Sequence, residues 1–319
     1  MIVAFHSHSM TLRGSENALW DYAVFNESIL GNRSVICHRE ELGGVDNPVF
    51  AKWQGKFSLI PYRSRKELAE RLRDLGAAVC YQIKPGPFDG FTVTGLPNCI
   101  HAMFLTNEFH GDRFAYVSRW VSQVMTGREN SFVPHFVPRL KAHRSRREAL
   151  GIPSGARVFG RHGGWDTFNI PFARKAVNQH ARKHPEDHFI FLNTQPIPGT
   201  TKLPNVHYLP GTVDAGEKAE FLATCDAMLH ARWHGETFGL AVGEFAVLGK
   251  PVITFGGSRE RAHLDMLGDR AQIYRDAKEL GEILRRFQPQ AAGETAYEAW
   301  ADPQAVMKIF HERFLEGRT

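Results

Sequence analysis

Two glutamates, Glu236 and Glu244, are the side chains whose type and spacing suggest chemistry most clearly. They lie eight positions apart in HARWHGETFGLAVGEF, residues 230–245, and glycines stand at positions 235 and 239. An ionised carboxylate only accepts hydrogen bonds, so two of them can bind the hydroxyl groups of a ligand. Glycines have no β carbon and let the backbone approach that ligand closely. The stretch is therefore a candidate hydroxyl-binding site.

The elements around this stretch place it at a strand-to-helix turn. AMLHA at 227–231 is predicted to be a strand, and GLAVGEFAVLG at 239–249 a helix that begins near Phe238 and ends at Gly249. In open parallel sheets, ligands bind outside the carboxyl ends of the strands, and the free amides of a following helix bind anions. Periodicity alone leaves Glu244 open between a hydroxyl acceptor and a solvated helix residue.

The same alternation of strands and helices runs along the rest of the chain. With 319 residues, the chain exceeds the usual size of a single core, so two domains are expected. Strands separated by helices predict parallel sheets that are covered on both faces. A proline-punctuated stretch at 131–156 interrupts the pattern, which restarts at RVFGRHGG. We predict one domain over 1–138 and a second over 139–301, with a last helix at 302–316.

Composition argues against a membrane-spanning or secreted protein. The chain is 43% hydrophobic and 23% charged, which is ordinary for a globular protein. No apolar run reaches the roughly 18 residues that span a bilayer, and MIVAFHSH opens without a basic leader segment. The four cysteines show no paired spacing, which is typical of reduced cysteines in a core. A cytoplasmic location is the resulting prediction.

Charge and missing motifs narrow the class of ligand. The net charge of +5 favours an anionic partner, but the basic residues are dispersed and no nucleic-acid-binding motif accompanies them. A nucleotide diphosphate fits this balance, and nucleic acid is not expected. The sequence has no D-x-D motif, P-loop or G-x-G-x-x-G after a strand, which argues against metal-dependent transferases, kinases and dehydrogenases. We predict no metal and no cofactor.

Further segments give the chain a resemblance to a known family. The glutamate pair with its F-G-L, followed by GKPVI, resembles the E-x7-E signature of retaining GT-B glycosyltransferases of the GT4 type. REALGIPSGARVFGR, LPNVHYLPGTVDAGEKAEFLATCDAMLHA and FAYVSRWVSQVM resemble other segments of that family. The likeness is strong over roughly 145–285 and weaker over 1–130. It implies an α/β protein of GT-B fold, with two Rossmann-like domains facing each other across a cleft and a C-terminal helix that crosses back to the N-terminal domain.

The resemblance also implies roles for the residues that would bind a nucleotide-sugar donor. Glu244 would accept hydrogen bonds from the ribose hydroxyls, Glu236 would contact hydroxyls of the sugar, and Arg161 would stabilise the leaving diphosphate. The diphosphate and sugar would be held, mainly by backbone amides, at Thr237, Phe238, Gly239 and Leu240. The base would lie beside Leu209, Gly211 and Thr212.

One departure from the family pattern concerns the phosphate site. A lysine usually follows the arginine within a few residues, but here the stretch reads RHGGWDTFNI. Three substitutes are candidates: His162, the amides of Gly163 and Gly164, and Lys84 from the first domain. The missing lysine leaves the phosphate-binding part of the predicted site open.

The first domain contributes weaker candidates. Gly14 and Ser15 resemble the family's glycine-rich first loop, and the alternative is an ordinary helix start that Ser15 caps. The acceptor-side and catalytic candidates are polar residues near predicted strand ends: Lys84, Asp89, His101 and His8. His101 either orients the acceptor or is a structural histidine with satisfied hydrogen bonds.

The leading hypothesis is a retaining, metal-independent glycosyltransferase of EC class 2.4. It would move a sugar from a nucleotide-diphosphate sugar to a glycan, lipid-linked or small-molecule acceptor, with polysaccharide biosynthesis as the destination that the resemblance implies. The alternatives are a sugar-nucleotide 2-epimerase and a non-catalytic sugar-nucleotide-binding relative. The basic helix RSRKELAERLR and the Phe88/Phe91 loop suggest weak peripheral contact with the inner face of a membrane.

Overall fold

The chain folds into two compact units. The computed structural model describes residues 1–44, 46–291 and 293–317. One unit comprises Met1–Phe136 and the C-terminal segment from Asp302, and the other comprises Val137–Ala301. Each unit contains one six-stranded sheet in which every pair of neighbouring strands is parallel. This is the α/β architecture that the alternating pattern predicts.

The first unit is a doubly wound sheet. Its elements in chain order are β1 (Ile2–His6), α1 (Gly14–Ser28), β2 (Arg33–Arg39), α2 (Pro48–Gln54), β3 (Ser58–Tyr62), α3 (Arg65–Leu75), β4 (Ala77–Lys84), β5 (Asn98–Ala102), β6 (Arg113–Tyr116) and α4 (Arg119–Thr126). The strand order is β3-β2-β1-β4-β5-β6. The order reverses between β1 and β4, so the loops after these two strands diverge and leave a crevice between them.

Local signals set several of these boundaries. The Ser64 hydroxyl accepts a hydrogen bond from the backbone N–H of Glu67 and caps α3. Gly76 ends the same helix in the left-handed conformation, with φ 73°. Both features are short-range signals within the sequence, and they set the start and the end of this helix. The central strands β1 and β4 are buried along almost their whole length, as expected for strands that helices cover on two sides.

The second unit repeats the architecture. Its elements are β7 (Val158–Arg161), α5 (Pro171–Lys183), β8 (His188–Leu192), β9 (Val206–Leu209), α6 (Ala215–Thr224), β10 (Ala227–His230), β11 (Gly235–Glu236), α7 (Leu240–Ala246), β12 (Val252–Phe255), β13 (Glu260–Arg261), α8 (Ala262–Leu267), β14 (Ala271–Tyr274) and α9 (Ala277–Arg286). The main sheet has the order β14-β12-β10-β7-β8-β9, and β11 pairs separately with β13. The order reverses between β7 and β10.

Close packing of helices on this sheet depends on small residues. A β carbon at Gly160 in β7 would lie 2.2 Å from the sulfur of Cys225, which follows α6. The absent side chain therefore lets the end of α6 pack directly on the strand. Cys225 is buried, as are the three other cysteines, and all four carry free thiols.

The C-terminal segment completes the first unit. It consists of α10 (Pro303–Phe310) and a π-helical turn at His311–Leu315. The ring of Phe310 stacks on Tyr22 at a centroid distance of 4.9 Å, and Phe314 packs edge-on against Tyr81 at 5.2 Å. These aromatic contacts attach the last helix to the sheet of the N-terminal unit, as the GT-B resemblance implies. Over the described part of the chain, every helix is too short or too polar to traverse a bilayer.

Candidate functional site

The strand order of the second unit decides which loops meet. Arg161 is the last residue of β7 and His230 the last residue of β10, and the two strands are neighbours in the sheet. Because the strand order reverses between them, the crevice outside their carboxyl ends is where doubly wound sheets bind ligands. The loops that follow β7 and β10 contain the donor-side residues predicted at 161–163 and 236–240. The fold therefore brings these two groups of residues to one edge.

Glu236 is fixed by the turn that precedes it. Gly235 has φ 81°, and a β carbon there would lie 1.9 Å from the carbonyl oxygen of Glu260. Only glycine fits this close approach, which allows β11 to pair with β13. The Glu236 side chain accepts a hydrogen bond from Arg232 Nη1 at 2.7 Å and lies 3.3 Å from His230 Nε2.

These neighbours keep Glu236 ionised. Burial alone would raise the pKa of this carboxyl, but the charge of Arg232 and the hydrogen bond with His230 outweigh it and bring the pKa to about 2. At neutral pH, Glu236 is therefore a carboxylate that can only accept hydrogen bonds. This is the form that a hydroxyl-binding role requires.

Glu244 is held by residues from two other elements. It lies inside α7 with only 3% of its surface exposed, and forms ion pairs with Lys218 of α6 and with His162 after β7. Burial raises the pKa of Glu244, but the charge of Lys218 and the contact with His162 outweigh it and bring the pKa to about 2. The alternative of a solvated helix residue is wrong, because the side chain is buried.

One oxygen of Glu244 lies against His162. His162 Nε2 is 2.9 Å from Glu244 Oε2, but the two atoms do not meet the angles of a hydrogen bond, and both are buried with no directed hydrogen bond to another described residue. Burial lowers the pKa of His162, and Glu244 opposes this effect. The contact of this oxygen with His162 is therefore electrostatic, without a directed hydrogen bond.

The helix that carries Glu244 starts later and ends earlier than predicted. α7 spans Leu240–Ala246, and Gly239 precedes it in the left-handed conformation with φ 86°. A β carbon at Gly239 would lie 2.9 Å from the hydroxyl of Tyr297, which donates a hydrogen bond of 2.6 Å to the carbonyl of Phe238. This tight turn takes the place of the predicted first helical residues. The anion-binding role of the amides at 238–240 stays a prediction.

Arg161 organises the loop after β7. Its guanidinium donates hydrogen bonds to the Asn193 carbonyl, the Thr194 hydroxyl, the Gly164 carbonyl and the Thr167 hydroxyl. Burial lowers its pKa to about 10, and the charge of Glu236 partly offsets this. Arg161 is only 4% exposed, so most of its donors already serve the protein. The predicted contact of Arg161 with the leaving diphosphate stays a prediction.

Arg232 is the cation at this edge that sequence reasoning missed. Its side chain is 23% exposed, and its ion pair with Glu236 is an i, i+4 contact. That spacing within HARWHGETFG was the only sequence signal for it. Arg232 is more accessible than Arg161 and lies beside the carboxylate that is predicted to contact the donor sugar.

The loop predicted to contact a base leads into the helix that holds Glu244. Leu209 ends β9, and Gly211 and Thr212 are half-buried in the loop before α6. The Thr212 hydroxyl accepts a hydrogen bond of 3.0 Å from the backbone N–H of Asp214, which caps α6. Lys218, one turn further along α6, reaches Glu244. This contact connects the helix that follows the loop to the Glu244 carboxylate. Lys218 and Glu244 are far apart in the sequence, so the sequence alone did not predict their ion pair.

In the first unit, three predicted residues gather at the carboxyl end of the sheet. Lys84, the last residue of β4, is fully buried and donates hydrogen bonds of 2.6 Å to Asp89 and to the carbonyl of Phe91. The ring of exposed His8 lies edge-on to Phe91 at 6.1 Å. Phe91 itself is buried, so Phe88 is the exposed aromatic of this loop, with 51% of its surface accessible. The ammonium of Lys84 is thus committed to contacts within its own unit.

His101 is not part of this group. In the parallel register, His101 pairs with Ile83, so its side chain lies on the sheet face opposite to that of Lys84. His101 Nδ1 is 2.6 Å from the Tyr81 hydroxyl and Nε2 is 2.9 Å from the Val133 carbonyl. Burial lowers its pKa to about 3. Both ring nitrogens are occupied by the protein, which is the geometry of a structural histidine.

The start of α1 also differs from its prediction. The helix begins at Gly14, Arg13 occupies the cap position without a side-chain hydrogen bond, and Ser15 lies within the first turn. The alternative in which Ser15 caps the helix is therefore wrong. A carboxyl that the sequence did not single out, Glu16, is buried here and accepts a hydrogen bond of 2.6 Å from Ser7. Burial raises the pKa of Glu16, and the hydrogen bonds from Ser7 and Ser9 oppose this effect.

Comparison with known proteins finds similar structures. The structure of HepE from Anabaena in complex with UDP-glucose has 14% sequence identity and a TM-score of 0.66, over 98% of this chain and 95% of that chain. WaaG, a glycosyltransferase involved in lipopolysaccharide biosynthesis, has 15% identity and a TM-score of 0.67, over 99% and 100%. The chain has a GT-B fold. No protein-family model and no curated protein matches the sequence.

The GT-B fold alone does not separate two types of enzyme. A putative UDP-N-acetylglucosamine 2-epimerase from Listeria monocytogenes is also similar, with 11% identity and a TM-score of 0.58 over 97% of this chain and 94% of that chain. Among the described residues, no three His, Cys, Asp or Glu side chains come together as ligands for a metal ion. Independence from metal remains a prediction, and the function has to be inferred from the residues of the site.

Proposed function

We propose that this protein is a retaining, metal-independent glycosyltransferase of EC class 2.4 that uses a UDP sugar. The single observation that carries the proposal is the pair of ionised glutamates, Glu236 and Glu244, at the reversal point of the second sheet. Each has a cation beside it, Arg232 at Glu236 and Lys218 at Glu244, which keeps the buried carboxylate ionised. Two fixed acceptors suit a ligand with two sets of hydroxyls, a ribose and a sugar.

The choice of UDP follows the structural neighbours. HepE is described with UDP-glucose and, in a second structure, with UDP and glucose. In our proposal, Glu244 accepts hydrogen bonds from the ribose and Glu236 from the donor sugar. The loop at Leu209, Gly211 and Thr212 contacts the base, since it leads into the helix whose Lys218 already holds Glu244.

Arg232 supplies the positive charge that the missing lysine would provide. When the bond between the anomeric carbon and the phosphate oxygen breaks, negative charge develops on the diphosphate, and a nearby guanidinium stabilises it. The acceptor oxygen forms the new bond to the anomeric carbon, and its proton passes to the leaving phosphate. Arg161 contributes by holding the loop that contains His162 and Gly163 in place.

A thermal-shift screen tests the donor. We expect UDP-glucose and other UDP sugars to raise the melting temperature, since a ligand that binds only the folded state stabilises it. ADP-, GDP- and dTDP-sugars at equal concentration serve as controls for base recognition. If none of the sugar nucleotides shifts the melting temperature, the donor-site proposal is wrong.

A sugar-nucleotide 2-epimerase is the second candidate, favoured by the similarity to 2-epimerase structures and by the contact between His230 and Glu236. Inversion at C2 breaks a C–H bond, so an epimerase exchanges that hydrogen with solvent when no acceptor is present. Incubating UDP-N-acetylglucosamine in D2O and following the sugar C2 proton by NMR separates the two activities. We expect no exchange, and rapid exchange would establish the epimerase instead.

A further inference from the structure

A threonine hydroxyl links two buried histidines beneath Glu236. Thr254 in β12 pairs with His230 in the parallel register, and its Oγ1 lies 2.8 Å from His230 Nδ1 and 3.1 Å from His263 Nε2. His230 Nε2 is 3.3 Å from Glu236 Oε1. Thr254 and His263 are fully buried, and His230 is 5% exposed. The hydrogen bonds thus form a chain from His263 through Thr254 and His230 to Glu236.

Glu236, at one end of this series of hydrogen bonds, fixes which atoms donate and which accept. Glu236 is ionised and can only accept, so the proton of the His230 contact is on Nε2. In the neutral ring, Nδ1 is then an acceptor, and the Thr254 hydroxyl must donate to it. The oxygen of Thr254 accepts in turn from Nε2–H of His263. Each proton in this series of hydrogen bonds thus has one position.

The opposite direction of hydrogen bonding is disfavoured by His263, at the other end of the series. It would require a positively charged His230, with Thr254 donating to His263 Nε2 and a proton on His263 Nδ1. That Nδ1 atom is buried and has no hydrogen-bond partner among the described residues. An unpaired N–H in the interior costs free energy, so the chain is more stable with its donors directed toward Glu236.

We propose that Thr254 and His263 are positioning residues that hold His230 as the neutral Nε2–H tautomer and thereby orient the Glu236 carboxylate. Oε1 of Glu236 is then fixed by His230 and Oε2 by Arg232. The remaining lone pairs are aimed at a ligand hydroxyl. The link to a donor sugar rests on the proposed function, whereas the tautomer assignment rests on the hydrogen-bond geometry and on the ionised form of Glu236, which Arg232 pairs.

Histidine NMR tests the tautomer without any substrate. Long-range 1H–15N correlation spectra of 15N-histidine-labelled full-length protein distinguish Nδ1–H, Nε2–H and doubly protonated rings, and His230→Asn identifies the signal. We expect the Nε2–H form in the wild type. A wild-type His230 that is Nδ1–H or doubly protonated at neutral pH would overturn the proposal.

Three variants connect the tautomer to turnover. Thr254→Val keeps the shape but removes the hydroxyl, so we expect a mixed His230 tautomer and a kcat for a UDP sugar lowered on the order of tenfold at an almost unchanged KM. Thr254→Ser restores the hydroxyl and should restore both readouts. Thr200→Val is the matched control, because Thr200 is another fully buried threonine of the same unit whose hydroxyl bonds Ile197 and Tyr208.

The outcomes separate this proposal from the proposed function. If Thr200→Val loses as much activity as Thr254→Val, the loss reflects a general effect on stability. That result would contradict the positioning role. If the wild type turns over no sugar nucleotide, the proposed function fails, while the wild-type NMR signal still decides the tautomer. If Thr254→Val does not fold, the comparison of Thr254→Ser with the wild type and the wild-type tautomer remain as tests.

Discussion

Glu236 and Glu244 obtain their counter-charges in different ways. Glu236 is paired within its own segment, to Arg232 and His230, and these contacts follow the local turn. Glu244 depends on Lys218 and His162, which come from two other elements. Burying a carboxylate is costly unless it is paired, so the cations make both acceptors possible. Removing one member of either group should therefore affect both function and stability.

Replacing Glu236 by glutamine tests its role toward the donor sugar. The amide has one acceptor oxygen fewer and no charge, and it leaves Arg232 unpaired. We expect kcat for a UDP sugar to fall on the order of a hundredfold with a smaller change in KM, because the contact matters most in the transition state. Steady-state kinetics measure this, with the exposed Glu148→Gln as the matched control. A kcat within twofold of the wild type would remove Glu236 from the mechanism.

Replacing Arg232 by methionine tests the proposed diphosphate contact. The variant keeps much of the side-chain volume but loses the guanidinium, so we expect UDP to bind on the order of tenfold more weakly. Uridine has no phosphate, and its affinity should not change. Calorimetric titration of both ligands gives the comparison, and Arg285→Met on the exposed end of α9 serves as control. Equal weakening of UDP and uridine would contradict a phosphate role.

At the scale of elements, the turn between β11 and α7 controls the geometry of the site. Gly239 adopts a conformation that residues with a side chain rarely adopt, and the Tyr297 hydroxyl lies 2.9 Å from where a β carbon would stand. The same tyrosine bonds the carbonyl of Phe238. Since Glu236 also lies against Gly239, a change at this turn is transmitted to the carboxylate.

A pair of glycine-to-alanine variants tests this turn. We expect Gly239→Ala to lower the free energy of unfolding by about 1–3 kcal/mol, because of the left-handed backbone and the contact with Tyr297. Gly281 lies within α9 with open space around it, so Gly281→Ala should instead raise that free energy by about 0.5–1 kcal/mol. Denaturant unfolding compares the two. Equal effects of the same sign would show that the turn is not constrained as described.

Elements with local signals were predictable from the sequence, and their arrangement was not. The cap and end of α3 follow from Ser64 and Gly76, which act within a single turn. The predicted limits of α7 were wrong: Gly239 is left-handed and precedes the helix, in close contact with Tyr297, which is distant in sequence. His101 and Lys84 both looked like residues near strand ends, but the pairing of His101 with Ile83 puts them on opposite faces.

At the scale of the whole molecule, buried neutral histidines dominate the expected response to acid. Burial lowers the pKa of six buried histidines spread over both units: His6, His101, His135, His162, His188 and His263. Each binds a proton more readily in the unfolded chain. Their contribution to stability is therefore complete above the usual histidine pKa of about 6.5 and is lost as the pH falls below it.

Stability should consequently fall steeply below pH 6.5. Each such histidine adds a slope of up to about 1.4 kcal/mol per pH unit to the free energy of unfolding. Glu236 and Glu244, with pKa values of about 2, add a second loss as the pH falls below about 4.5 toward 2. Urea unfolding at pH 7.5 and 5.5, with equal m-values as the control, measures the first effect. A free energy of unfolding that is unchanged between these pH values would contradict it.

The α/β class and the alternation of strands and helices were readable from the periodicity of the whole chain. The strand orders were not, because each depends on which strands pair across long sequence separations. Those orders place Arg161 and His230 at the reversal point of one sheet. The ion pair of Lys218 with Glu244 depends on the same long-range packing, and so a single sequence could not supply it.

The central claim is that Glu244 binds the ribose of a uridine nucleotide, and a comparison of two ligands in two proteins tests it most directly. UDP and 2′,3′-dideoxy-UDP differ only in the ribose hydroxyls, and Glu244→Gln removes the carboxylate charge and replaces one acceptor oxygen by an amide group. By calorimetric titration, we expect the wild type and Glu148→Gln to bind UDP on the order of tenfold more tightly than the dideoxy ligand. In Glu244→Gln, the ratio of the affinity for UDP to that for the dideoxy ligand should be close to one. A preference in Glu244→Gln equal to that of the wild type would contradict the claim.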